Sequence, residues 1–316
     1  MRMAVAGYSR TFSRRTRNGI KPGFSLILMT AKPHPARPGF TLTELLVVIL
    51  IIAAGCALSL QPLIAAPSDE PFNAAGLAAR KSAAAYDLAA DASRKAAMSP
   101  EEAAWEKILE QNLGNFYLPI YKQEKLAGKE TAWDFVQDQP GLPRVLLIGD
   151  SISRGYTLAV RHALAGKANV HRAPANCGPT AVGLKKLVTW LGEGKWEIIH
   201  FNFGIHDRNT EDAIYQTNIE QIVTRLQQTG AKLIWARTTP PASCDNKENF
   251  TPAQCERLNR ITDAIMRKHG IPTNDLHAAV APKLADLQNK NDVHFNAAGY
   301  SVLGNQVASI IQSHAN

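Results

Sequence analysis

The chain has 316 residues, enough for one large domain or two small ones, and its 45% apolar and 20% charged content is that of a globular rather than a disordered protein. Its net charge of +8 invites a nucleic-acid reading, but eight of the 35 Lys and Arg lie in residues 1–39, which hold no Asp or Glu. The remaining 27 balance the 27 acids, so the rest of the chain lacks the basic footprint of a nucleic-acid-binding protein.

Residues 1–39 read as a basic leader. From Leu45 to Ala66 runs a stretch of 22 uncharged residues, long enough to span a bilayer. Residues 40–66 are therefore expected to form a signal or transmembrane helix. The basic flank before it, and Asp69 and Glu70 after it, put the leader in the cytoplasm and the rest outside. The segment Gly39-Phe40-Thr41-Leu42-Thr43-Glu44-Leu45-Leu46-Val47-Val48-Ile49 resembles the cleavage and methylation motif of type IV prepilins. That resemblance implies cleavage after Gly39 by a prepilin peptidase, with Phe40 as the new N-terminus and Glu44 as the acid five residues in. It implies a bacterial envelope protein, anchored in the inner membrane facing the periplasm or secreted. A start at Met29 gives a compact leader and stands as an alternative to Met1. Two other processing readings stay open. Ala53-Ala54-Gly55-Cys56 looks like a lipoprotein box with Ala53 where Leu is usual. Ile64-Ala65-Ala66 could end a signal peptide, although Pro67 disfavours a cut there. All three readings export the C-terminal part of the chain.

Residues 67–98 are Ala-rich with few large apolar side chains, and read as a mobile or helical spacer. A helical lead-in, 99–143, begins at Ser99-Pro100-Glu101-Glu102, a capping pattern. Trp133, Phe135 and Val136 are expected to pack it onto the main domain, residues 144–316. There strands and helices alternate, which predicts a parallel sheet covered on both faces. The strands are Val145-Leu146-Leu147-Ile148, an edge strand over 168–173, then 196–203, 232–237 and a short one over 271–276. Helices are expected over Tyr156–Leu164, Thr180–Leu191, Ile214–Leu226, Leu258–Met266 and from Asn296 onward.

Gly149-Asp150-Ser151 comes after the first strand and precedes a helix. A serine at that junction faces the crevice at the strands' carboxyl ends, near free helix N–H groups that favour developing negative charge. A nucleophilic serine also needs an imidazole base and a carboxylate to orient it. His294 lies in Asn291-Asp292-Val293-His294-Phe295-Asn296, just before the last helix. In an extended segment Asp292 and His294 point the same way.

Together these stretches resemble the SGNH or GDSL-type hydrolases. Gly149-Asp150-Ser151-Ile152-Ser153 matches the family's first block, with Ser151 as nucleophile. Asn176-Cys177-Gly178 matches the second, whose Gly178 N–H donates to the oxyanion. Gly204-Ile205-His206-Asp207 stands where the family has Gly-x-Asn-Asp, and Asp292-Val293-His294 matches the last block, which supplies acid and base. The resemblance implies a three-layer α/β/α fold with a flavodoxin-like sheet. Residues 133–144 also resemble the lead-in of a bacterial envelope branch of these proteins. This chain departs from the pattern twice. His206 replaces the amide donor, with Asn202 as a reserve, and the acid is two rather than three residues before the histidine, where Asn291 would otherwise carry it.

The expected function is an exported serine esterase of an acetylesterase-like kind. Ser151, His294 and Asp292 form its triad, the Ser151 and Gly178 N–H groups with His206 its oxyanion hole, and no metal or organic cofactor is required. An acetylated carbohydrate is the substrate class that family habit favours. A metal cluster of His206, Asp207, His294 and Asp150 is a weaker reading, because zinc-helix spacing is absent. Cys244 and Cys255 bracket a polar loop and are candidates for a disulfide in an oxidising periplasm. The competing class is a non-catalytic, pilin-like surface or glycan-binding protein on the same fold.

Overall fold

The computed structural model describes residues 87–315. The leader, the prepilin-like motif and the hydrophobic run lie outside them. Among the described residues no helix is long and apolar enough to cross a membrane.

Three helices come first: α1 (Leu88–Ala96), α2 (Pro100–Asn112) and α3 (Gly114–Leu126). The expected capping box starts α2, with Ser99 and Glu102 bonding each other's backbone N–H. α1 is the end of the Ala-rich spacer and lacks an apolar stripe. Ion pairs attach it instead: Arg94 bridges Asp91 and Glu106, and Lys95 reaches Glu110. The lead-in has its own small core of Leu109, Leu113, Tyr121 and Trp133. Trp133 is fully buried, and its carbonyl accepts from Trp105 Nε1 at 2.7 Å. Phe135 and Val136 are only half-buried and line a cavity of about 390 Å³ between the lead-in and the sheet edge.

The sheet contains β1 (Arg144–Ile148), β2 (Asn169–Arg172), β3 (Ile198–Phe201), β4 (Lys232–Ala236) and β5 (Thr273–Asn274). All pairings are parallel, in the order β2-β1-β3-β4-β5. Parallel neighbours require crossovers, and four helices supply them: α4 (Ser151–Ala163), α5 (Thr180–Leu191), α6 (Asp212–Gln227) and α7 (Pro252–His269); α10 (Ala297–His314) follows the last strand and closes the domain. Short helices α8 (Leu276–Val280) and α9 (Leu284–Leu287) fill the path to α10; nothing in the periodicity announced them.

Strand alternation sorts the core into two layers. Val145 and Leu147 face Tyr156 and Val160 of α4 and Leu303, Val307 and Ile311 of α10. Leu146 and Ile148 face Leu187 of α5, Ile219 and Val223 of α6 and Leu258 of α7. The result is the expected three-layer α/β/α fold. From β1 the chain goes outward to β2, then returns past β1 to β3. That reversal leaves a crevice at the carboxyl ends of β1 and β3, where open α/β sheets bind ligands.

Candidate active site

The first βα turn is tightly constrained. Gly149 has Ser153 so close that an added Cβ would sit 2.7 Å from Ser153 Cβ. Asp150 caps α4, its Oδ1 accepting from Ile152 N at 2.9 Å. Ser151 is the first residue of that helix and is buried, 8% exposed. Arg172, at the end of β2, holds the turn from below. Its Nη2 donates to the carbonyls of Gly149 and Asp150, both at 2.9 Å, and its Nη1 donates to Ser153 Oγ.

His294 arrives from the loop before α10, 143 residues later in the chain. Its Nε2 lies 2.8 Å from Ser151 Oγ and its Nδ1 lies 2.5 Å from Asp292 Oδ1. The segment is a turn, not the extended stretch the spacing suggested. Asp292 Oδ1 also accepts from His294 N at 3.0 Å, the fold-back typical of a short acidic side chain two residues ahead of its donor. Asn291, standing where the family carries its acid, has φ of 54°, a left-handed conformation that Asn tolerates. Gln288 pins the turn: its Nε2 donates to the carbonyls of Val293 and Pro240. Burial alone would raise the Asp292 carboxyl, but the His294 backbone and ring N–H groups, with Lys247, outweigh it and hold the group below the ordinary carboxylate range. Lys247 Nζ takes Asp292 Oδ2 at 3.2 Å.

The candidate oxyanion donors differ in availability. Gly178 has φ of 64°, a conformation that favours glycine, at the loop after β2. His206 follows β3 in a short 3₁₀ turn, Ile205–Asp207, and its Nε2 is 3.9 Å from Asp150 Oδ2, beside the Ser151 turn. Gly204 permits that turn to press on the next loop, since a Cβ there would meet Thr238 Oγ1 at 2.1 Å. Asn202, the reserve, is engaged elsewhere: its Nδ2 donates to Ala236 O at 2.7 Å and Thr238 Oγ1 at 3.2 Å, joining β3 to β4.

One further expectation is corrected, and one weaker reading finds no support. Cys244 and Cys255 are both free. Cys244 is exposed, whereas the buried Cys255 Sγ turns to the Thr238 and Thr239 carbonyls at 3.4 and 3.5 Å. The metal set of His206, Asp207, His294 and Asp150 does not assemble either. The Asp207 carboxylate accepts from Thr180 N at 2.8 Å and Thr180 Oγ1 at 2.7 Å, tying the 3₁₀ turn to the start of α5.

Sequence reasoning missed several neighbours of Ser151. Tyr117 of α3 brings its phenol within interaction range of the Ser151 side chain, and Arg154 lies 5.5 Å from the centre of its ring. A cavity of about 20 Å³, room for a single water, opens beside Asp150, Ile152 and Ser153 and is lined also by Ile205, Phe250 and Val293. None of these positions carries a local pattern; only Arg172, a charge on an otherwise buried edge strand, was a usable signal.

A serine on the first βα turn that meets a histidine from just before the last helix, on a sheet of this order, defines the SGNH class of α/β hydrolases. Residues 147–302 match the GDSL-like lipase/acylhydrolase family, and the chain carries a domain of that type, an esterase-type hydrolase. Residues 35–60 match the prokaryotic N-terminal methylation motif. The fold is that of a lipase/acylhydrolase from Enterococcus faecalis, at 21% identity and a TM-score of 0.50 over 54% of this chain and 96% of that one. A putative acylhydrolase from Bacteroides fragilis aligns at 18% identity and 0.48, over 57% and 91%. An acetylxylan esterase from Geobacillus stearothermophilus aligns at 14% and 0.45, over 55% and 94%. No curated protein matches the sequence.

Proposed function

We propose that this protein is an exported serine esterase acting on short acyl esters, with acetylated carbohydrate as its substrate class. The observation that carries the reading is the position of His294, within hydrogen-bond reach of Ser151 on one nitrogen and Asp292 on the other. Ser151 attacks the ester carbonyl while His294 Nε2 takes its proton. Asp292 fixes the ring and stabilises the imidazolium. The tetrahedral oxyanion sits at the α4 N-terminus, with the Ser151 and Gly178 N–H groups and the His206 ring as donors. His294 then protonates the leaving alcohol, and water repeats the sequence on the acyl-enzyme. The methylation motif supports an envelope or secreted location, with cleavage after Gly39 and residues 40–66 as the membrane segment. As domains we propose the leader 1–39, the membrane segment 40–66, the linker 67–98, the lead-in 99–143 and the hydrolase domain 144–316.

The test is labelling by a fluorophosphonate probe together with hydrolysis of a short-chain aryl acetate. Both are expected in the parent protein and lost in Ser151→Ala. A protein that neither labels nor hydrolyses leaves the non-catalytic glycan-binding reading in its place.

A further inference from the structure

One acidic side chain beside the triad has no part in the reaction as described. Glu248 lies in the loop between β4 and α7, and its Oε2 is buried without a hydrogen-bond partner. Glu248, Asp292 and His294 each bring a carboxylate oxygen or ring nitrogen to within 4.8 Å of the other two. The loop is built to hold this place. Asn246 donates to the carbonyls of Ser243 and Phe250 and accepts from Phe250 N. The backbone N–H of Lys247 donates to Asn291 O at 3.3 Å, joining the loop to the histidine turn.

The charges around His294 explain what such a group would do. Asp292 is shared, one oxygen on the His294 ring and the other on the Lys247 ammonium. A carboxylate oxygen buried with no donor is unfavourable, and the cost falls when a cation forms beside it. In the serine mechanism that cation is the His294 imidazolium. An interaction that strengthens only as the imidazolium forms raises kcat and leaves substrate binding alone.

We propose that Glu248 is a second acid for His294, a positioning residue that stabilises the imidazolium from the β4–α7 loop and lessens the dependence on Asp292. The proposal rests on the Ser151–His294 reading above. It makes the last catalytic unit a histidine between two carboxylates drawn from two different loops.

The experiment measures kcat and KM for aryl acetate hydrolysis in the full chain and in Glu248→Gln, Glu248→Asp, Asp292→Asn and the double variant Asp292→Asn/Glu248→Gln. Glu248→Gln is expected to lower kcat roughly tenfold, as loss of one nearby partly screened charge would, with KM unchanged. Glu248→Asp, which keeps the charge, restores part of the loss and serves as the comparison if the Gln variant does not fold. In the Asp292→Asn background the Gln substitution is expected to cost more than in the parent, the signature of two acids serving one ring. Equal kcat with and without the Glu248 carboxylate in both backgrounds overturns the proposal. So does an effect confined to KM. Activity that EDTA abolishes overturns it as well, because the three groups would then be holding a metal ion. Activity that survives Ser151→Ala would instead overturn the esterase reading on which the proposal stands.

Discussion

Arg172 Nη2 donates at 2.9 Å to the carbonyl oxygen of Asp150, the residue immediately before Ser151. The guanidinium is buried, 1% exposed, and reaches three acceptors on the same turn. A strand-end arginine thus fixes the backbone from which the candidate nucleophile projects. Its planar fork suits several carbonyls at once, which a lysine cannot match.

Removing that fork takes one charged donor from the Ser153 hydroxyl and from each of two carbonyls, which then keep only the Cys177 and Arg154 N–H groups. Arg172→Met is expected to lower stability by about 2–4 kcal/mol, measured by urea unfolding. Arg172→Lys keeps the charge but not the geometry, and kcat for an aryl acetate should fall at least about tenfold. A parent-like kcat in Arg172→Lys would show that the turn does not need the arginine.

His206 stands where an amide donor is usual. If its ring donates to the oxyanion, His206→Asn should retain activity within roughly tenfold, whereas His206→Ala should lose about 10²–10³ in kcat. Equal activities in the two variants would remove His206 from the oxyanion hole.

The thiols should separate by burial. Burial pushes Cys177 and Cys255 up to about 12, so neither offers thiolate at neutral pH. Iodoacetamide on the folded protein, with peptide mapping afterwards, is expected to modify Cys244 and to spare Cys177 and Cys255 until urea is added. A Cys244–Cys255 cross-linked peptide under air oxidation would contradict the geometry.

Stability should fall on acidification through the buried His200. Burial pushes its ring down to about 3, so the folded form stays neutral. The unfolded chain takes up a proton near the ordinary value of about 6.5. The folded pKa is depressed, so the contribution is fully present above about 6.5 and is lost progressively as pH falls toward 3. The slope approaches 1.4 kcal/mol per pH unit between those limits. His171 and His277, also lowered by burial, act in the same direction. Urea midpoints between pH 7 and 4 should show this loss, and His200→Asn should flatten it. A pH-independent midpoint in the parent would mean that His200 is not held neutral.

The fold was largely legible because its signals are local. Buried strands such as Leu146-Leu147 are short continuous apolar runs, and the helices carry both spacing and caps. Thr180–Leu191 and the Asn296 cap ended where the pattern put them. The α8–α9 region was not legible, since helices of four and five residues are too short for a period to show. The Cys244–Cys255 pairing also failed, because proximity in sequence says nothing about where a buried Sγ turns.

The sequence by itself determined the order of the elements, the serine on the first βα turn and the histidine before the last helix, for these depend on residue type and near neighbours. Which partners these residues meet was decided by the tertiary structure. Ser151 and His294 are 143 positions apart and meet because α10 packs against α4 on one face of the sheet, which carries the loop before α10 to the first βα turn. The same closure engaged Asn202 between two strands, turned Asp207 toward Thr180, and brought Arg172, Tyr117 and Glu248 to the site from three other segments. Contacts between distant segments leave no periodic trace in the chain, so only the packed fold could reveal them.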